Sequence, residues 1–386
     1  MNKNTQFSEI GPGALQDLIT QRVAASEGWL AFDDFMNLAL YYPRLGYYVR
    51  GAPLFGSLAQ GQAISGAPVK VLSQSEGSDF VTAPELTPLF GQALARQVAQ
   101  ALGATHTDEI WEFGAGSGAL ASQVIDALLS MGVRLRRYTI VDLSGPLRNR
   151  QAERLHQHAS IVQWVDELPE KMSGVVIGNE VLDAMPVKLL ARVAGVWQER
   201  GVTVNAAGKL GWLDRGTDLR LPFEPEGSHD YLSELHQQGE AFVATLGEKL
   251  VHGAIFLLDY GFPEREYYHP QRHMGTLMCH RAHHADADPL VDVGQKDITA
   301  HVNFTGVAVA AQTCGLEVLG YTSQAHFLIN CGLAQDMAHA PLRERANANK
   351  LIMEHEMGEL FKVIGLTRGD WWQALGFTSG DRTPRL

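Results

Sequence analysis

Short apolar runs at 109–113, 137–143, 161–165 and 174–178 alternate with helical stretches, and a glycine-rich turn follows the first of them. Together they predict a Rossmann-like α/β fold with a mostly parallel sheet, because parallel neighbours must be joined by crossovers that usually carry a helix. The size agrees. With 386 residues, 45% of them hydrophobic, the chain can bury a large core around such a sheet.

Residues 1–103 read as an N-terminal helical and lid region. Leu15, Leu18, Ile19 and Val23 share one face of a helix over 13–25, and a second helix covers 32–41. The segment Tyr41-Tyr42-Pro43-Arg44-Leu45-Gly46-Tyr47-Tyr48 is dense in aromatic and turn residues, and 49–79 reads as a loop. A helix over 88–102 follows. The nucleotide-binding type of domain is expected over 104–332, with insertions at about 187–230 and 262–300. Residues 187–222 alternate apolar and polar side chains around Gly195, Gly201 and Gly208, the pattern of β-hairpins. A helix is expected over 231–251, a strand over 254–259, a helix over 304–314 and a closing strand pair at 317–321 and 325–330. Residues 333–386 are expected to be helical.

The net charge of −12 argues against a nucleic-acid groove, which would need clustered Lys and Arg. No apolar stretch is long enough to span a membrane, and neither a signal core nor a transit pattern stands at Met1–Gly13. The three cysteines, Cys279, Cys314 and Cys331, are too few and too widely spaced for a disulfide framework. A cytoplasmic protein is the resulting expectation.

The strongest local signal is Trp111-Glu112-Phe113-Gly114-Ala115-Gly116-Ser117-Gly118-Ala119, between a strand and a helix. Glycines let the chain turn tightly and let a ligand approach the backbone. The helix N-terminus adds free N–H groups and a positive dipole end. Gly114, Gly116 and Ala119 also fit the NAD fingerprint. Gly118, giving Gly-x-Gly-x-Gly, and Glu112, an acid two residues ahead of the first glycine, favour S-adenosylmethionine (SAM). Asp142, followed by Leu143, ends the second strand, where a carboxylate accepts from ribose hydroxyls. Asp166, after the third strand, is a candidate for the adenine amino group.

The fourth strand ends in Asn179-Glu180-Val181-Leu182-Asp183-Ala184-Met185-Pro186. This Asn-Glu-x-x-Asp-Ala-x-Pro pattern resembles the MidA-type SAM-dependent methyltransferases, a family that includes a mitochondrial complex I assembly factor methylating an arginine of a partner protein. The similarity takes in the 41–48 and 79–85 segments, Phe90-Gly91, the glycine loop, Asp142, 256–261, 275–278 and 297–304. The 49–79 loop is longer than the family's usual link, and Asp142 stands where Glu is the family's residue. The resemblance implies a mostly parallel seven-stranded sheet with a C-terminal antiparallel strand, N-terminal helices and inserted hairpins. It further implies that Thr82, Pro84 and Glu85 cover the cofactor, and that a protein arginine, with a respiratory-complex subunit as partner, is the acceptor.

For such an acceptor, paired carboxylates are needed to grip a guanidinium that is always protonated. Glu180 and Asp183 are the candidates, with Asp259 at another strand end as a third and Asn179 as an orienting amide. His280, His283 and His284, with Asp286 and Asp288, suit a metal by residue type. Their spacing fixes no common face, so a solvated or substrate-lining loop is expected and no metal. His301 is unassigned. Two other classes stay open: an NAD-dependent oxidoreductase on the same glycine loop, and a non-catalytic SAM-binding assembly factor.

Overall fold

The computed structural model describes residues 13–50, 82–142, 145–281 and 284–386. Leu143, His283, the 79–81 part of the family segment and the 49–79 loop beyond Arg50 lie outside these.

The described chain opens with α1 (Ala14–Ala25), β1 (Leu30–Ala31), α2 (Phe32–Tyr41) and the single turn α3 (Tyr47–Arg50). Phe32, Phe35, Met36, Ala39 and Leu40 of α2 are buried, the spacing of one helix face. Next come α4 (Ala83–Leu86) and α5 (Pro88–Ala104). Thr87 caps α5 by accepting from the Leu89 N–H at 3.3 Å, and Pro88 takes the first helical position, where it has no hydrogen bond to lose.

The alternating region follows: β2 (Glu109–Phe113), α6 (Ala119–Ser130), β3 (Arg137–Val141), α7 (Gly145–Arg154), β4 (Val162–Val165) and β5 (Met172–Asn179). Then come β6 (Lys188–Val193), β7 (Val196–Val204), β8 (Leu210–Gly216), β9 (Tyr231–Leu235), α8 (Gln237–Lys249) and β10 (Leu250–Phe262). The remainder is α9 (Glu264–Tyr267), β11 (Met278–Arg281), β12 (His284–Asp286), β13 (Asp297–Thr299), β14 (Val302–Asn303), α10 (Phe304–Thr313), β15 (Glu317–Ser323), α11 (Gln324–Asn330), α12 (Leu333–His339), α13 (Leu342–Ile352) and β16 (Phe361–Arg368).

The main sheet runs β4-β3-β2-β5-β10-β16-β15, with β14 beside the end of β10. β4, β3, β2, β5 and β10 are mutually parallel, and β16 is antiparallel to both its neighbours. The expected mostly parallel sheet with one antiparallel strand is therefore present. Alternate residues feed two cores. Ile110, Tyr138, Val175 and Phe256 pack under α5, α6 and α11. Trp111, Val176, Ile255 and Ile364 pack under α8 and α10. Burial on both faces explains why these strands read as continuous apolar runs.

A second sheet, β1-β7-β6-β9 with β8 on β7, forms the expected hairpins and packs against α1 and α2. β12-β11-β13 is a small third sheet built from the 262–300 insertion.

Three expectations are corrected. Residues 325–330 form part of helix α11, not a strand: Ser323 caps it, accepting from the His326 N–H, and Phe327 and Leu328 are buried. The partner of β15 is β16, drawn from the segment expected to be helical. Its Phe361, Val363, Ile364 and Leu366 reach both cores in turn or lie buried beside them. Residues 231–235 are strand β9 rather than the start of a helix, because they pair with β6 along its length.

Candidate active site

The glycine loop leaves β2 and enters α6. Gly114, Gly116 and Gly118 have φ of 65°, 52° and 81°, the left-handed region that disfavours every other residue. A Cβ on Gly114 would stand 2.9 Å from Val181 Cγ2, whereas a Cβ on Gly116 would meet no atom within 4 Å among the described residues. That open side leaves room for a ligand against the backbone.

The loop is tied down by Gln151, a fully buried residue of α7 that the sequence did not single out. Its amide nitrogen donates to the Gly116 carbonyl at 3.0 Å and to Asp142 Oδ2 at 2.8 Å, and its amide oxygen accepts from Trp164 at 2.8 Å. One side chain thus joins the glycine cradle to the acid at the end of β3. Arg148 donates to the Asp142 carbonyl at 2.8 Å and pairs with Asp166. Asp166 is therefore held by an arginine and is mostly exposed.

Glu112 is 1% exposed and accepts from the Tyr138 hydroxyl at 2.8 Å. Burial pushes its carboxyl up to about 8, against the pull of that hydrogen bond. It supports the strand under the loop. On the loop's other side, Glu85 accepts from Ser117 and from Arg154, the latter at 3.1 Å. The carbonyl of Pro84 accepts from Gln123 at 2.7 Å. Thr82 is the N-cap of α4, the short helix that carries Pro84 and brings Glu85 onto the glycine loop at Ser117.

At the end of β5 the backbone of Glu180 takes φ 54°, unusual for a residue with a side chain and a mark of local strain. Its carboxylate accepts from Asn179 Nδ2 at 2.9 Å and from the Ala83 N–H. Burial first, and the like charge of Asp297 second, raise its carboxyl to about 7. Asp183 is 4% exposed and accepts from the Tyr260 hydroxyl. Burial and the Glu180 charge push it to about 7 as well. Asp259 is spent on backbone: Oδ2 accepts from the N–H groups of Val181, Leu182 and Asp183 at 3.1, 2.9 and 3.2 Å. Burial raises its carboxyl strongly. It shapes the loop that carries the other two acids.

Asn179 Oδ1 and Asp183 Oδ1 are buried acceptors with no protein donor among the described residues. Buried polar atoms left in that state are costly, so a ligand with N–H or O–H groups fits this crevice. The left-handed glycines, the open face of Gly116 and the Asp142 carboxylate suit the amino-acid and ribose parts of SAM. All these groups lie at the carboxyl ends of parallel strands, where open α/β sheets bind ligands.

The acids beside the histidines of the 262–300 insertion have partners of their own. His280 and His284 sit on neighbouring strands β11 and β12, but Asp286 pairs with Lys296 at 2.7 Å and Asp288 accepts from the Leu290 N–H. Sequence reasoning also missed Tyr41, Tyr48 and Asp297 as members of the acidic crevice. Tyr41 donates to the Ala184 carbonyl at 2.8 Å, and Tyr48 donates to Asp297 Oδ1 at 2.8 Å.

The strand order, the three-glycine cradle and the acids at the strand ends define a SAM-dependent methyltransferase. The chain belongs to the Methyltransf_28 family of S-adenosyl-L-methionine-dependent methyltransferases, whose model matches residues 93–322. A protein from Burkholderia thailandensis, crystallised with S-adenosyl-homocysteine, superposes with a TM-score of 0.87 at 44% identity, covering 97% of this chain and 96% of that one. Curated relatives are more distant. The Caenorhabditis elegans protein named "Protein arginine methyltransferase NDUFAF7 homolog, mitochondrial" is 24% identical over 92% of this chain and 85% of its own. The human protein arginine methyltransferase NDUFAF7, mitochondrial, is 23% identical over 88% and 80%. The NAD alternative is thereby set aside.

The comparisons also correct the cytoplasmic expectation, since these relatives are named mitochondrial. Among the described residues no helix is long and apolar enough to cross a membrane.

Proposed function

We propose that this methyltransferase modifies an arginine side chain of a partner protein, with Glu180 and Asp183 as the groups that hold the acceptor. One observation carries the reading. Glu180 and Asp183 are two carboxylates beside the cofactor cradle, Asp183 buried and Glu180 nearly so, and neither forms an ion pair among the described residues. Buried acids without a cation are expensive unless one arrives with the substrate. The curated relatives' name, protein arginine methyltransferase, supports the same acceptor. The partner protein favoured by the family resemblance is a respiratory-complex subunit.

SAM supplies an electrophilic methyl on a sulfonium. The chain's residues supply position and charge. Glu180 and Asp183 accept from the guanidinium fork, draw positive charge toward two nitrogens and leave the third facing the cradle. Holding the reacting atoms in line contributes roughly 7–11 kcal/mol in favourable cases. As the N–CH₃ bond forms and the S–CH₃ bond breaks, the acceptor nitrogen loses a proton. Glu180, raised to about 7, is placed to take it and return it to solvent. Gly114, Gly116, Gly118, Asp142 and Asn179 hold the cofactor, Thr82, Pro84 and Glu85 flank it, Glu112 and Asp259 position the strand and loop, and Arg148 restrains Asp166 at the adenine end.

The test is incubation of the purified chain with methyl-labelled SAM and lysate, followed by acid hydrolysis. Label should appear in protein as methylarginine and be absent with Glu180→Gln, which should still bind S-adenosyl-homocysteine. Label confined to RNA, small molecules or lysine would overturn the arginine assignment.

A further inference from the structure

We propose that Asp297, walled by Tyr41 and Tyr48, is a third acceptor-binding carboxylate that selects a planar guanidinium over an ammonium. This deepens the arginine reading and rests on it.

Asp297 opens β13, on the small sheet of the 262–300 insertion, far in sequence from the strand ends. Its charge nonetheless acts on Glu180, on Tyr41 and on Tyr48. The Tyr48 hydroxyl holds its Oδ1 at 2.8 Å. Tyr41 and Tyr48 stack with centroids 5.5 Å apart and planes 23° from parallel. Tyr41 is anchored on the carbonyl next to Asp183, yet remains 37% exposed, at the mouth of the crevice. The tyrosine pair thus links Asp297 to the loop that carries Asp183, whose own carbonyl accepts from the Ala300 N–H at 2.9 Å, three residues beyond Asp297. Asp183 Oδ1, more than nine-tenths buried, has no donor among the described residues.

An ammonium offers three donors from one point. A guanidinium offers five, spread around a flat edge, and stacks on aromatic rings. Only the flat cation meets carboxylates on separate edges while its face lies against a tyrosine. Asp297 then accepts from a further N–H of the two gripped nitrogens, and the third nitrogen stays facing the cradle.

The experiment uses the full chain saturated with S-adenosyl-homocysteine and titrates methylguanidine and methylamine by NMR or calorimetry. The wild type should bind methylguanidinium at least about 10-fold tighter than methylammonium. Asp297→Asn should lose about 10-fold in methylguanidinium affinity with S-adenosyl-homocysteine affinity unchanged, and Asp297→Glu should recover part. Tyr48→Phe, which removes only the hydroxyl on Asp297, should shift selectivity in the same direction and serves if Asp297→Asn does not fold. Unchanged methylguanidinium binding in Asp297→Asn or, where that variant unfolds, in Tyr48→Phe would sink this proposal alone. So would an equal loss of S-adenosyl-homocysteine binding. A wild type that prefers methylammonium, or binds neither, would sink the arginine reading with it.

Discussion

Gln151 Nε2 lies 2.8 Å from Asp142 Oδ2 and also holds the Gly116 carbonyl, so one amide sets the spacing between the glycine loop and the acid at the end of β3. Replacing Gln151 by Leu removes both bonds and leaves the Trp164 indole N–H without its acceptor. The expected outcome is an S-adenosyl-homocysteine affinity about 10-fold weaker and a stability loss of about 1–3 kcal/mol, read by calorimetry and denaturant titration.

Gly116 and Gly174 separate ligand space from backbone contact. A Cβ at Gly116 meets no atom within 4 Å among the described residues, while one at Gly174 would stand 2.3 Å from the Glu109 carbonyl oxygen. Gly116→Ala should fold, with a left-handed strain of roughly 1–2 kcal/mol, and lose about 100-fold or more in S-adenosyl-homocysteine affinity. Gly174→Ala should fail to give soluble folded protein. Circular dichroism and calorimetry on the pair check both.

Activity should rise with pH through about 7 and then level off. The grip needs ionised Glu180 and Asp183, and both are raised to about 7. Stability should move the other way. Glu180 in the folded chain keeps its proton from its ordinary 4.5 up to about 7. The native state therefore binds more protons than the unfolded state across that window, and stability falls as pH rises through it. Relative to wild type, Glu180→Gln should gain about 1–3 kcal/mol at pH 8 compared with pH 4. Denaturant midpoints at the two pH values measure it.

Asp259→Ala should behave as a loop variant. It strips the acceptor from three backbone N–H groups that cannot all find water in a buried crevice. A stability loss of about 3 kcal/mol is expected. Methyl transfer should fall while S-adenosyl-homocysteine still binds within about 10-fold. A variant of native stability would show that the loop stands without it.

The parts that were legible in the sequence are those with short-range signatures. The glycine loop, the strand-helix alternation and the acids closing each strand depend on periodicity and on residues within a turn of one another. Gln151 was not legible, because a lone glutamine on a polar helix carries no mark of burial. Glu180 was named for its carboxylate, but its left-handed backbone had no signal beforehand. The Tyr48–Asp297 bond joins residues 249 positions apart, and no local pattern reports such a contact. Residues 325–330 misled because apolar side chains in a short run suit a strand or a buried helix equally; the cap at Ser323 decides.

β16 slots between β10 and β15, both of which precede it in the chain. During synthesis those two strands leave the ribosome with their facing edges bare, a state that invites wrong pairing. The sheet closes only when residues 361–368 emerge, so the crevice built on its strand ends matures late. A stop codon anywhere before that strand would leave an unsealed, aggregation-prone intermediate rather than a shortened enzyme.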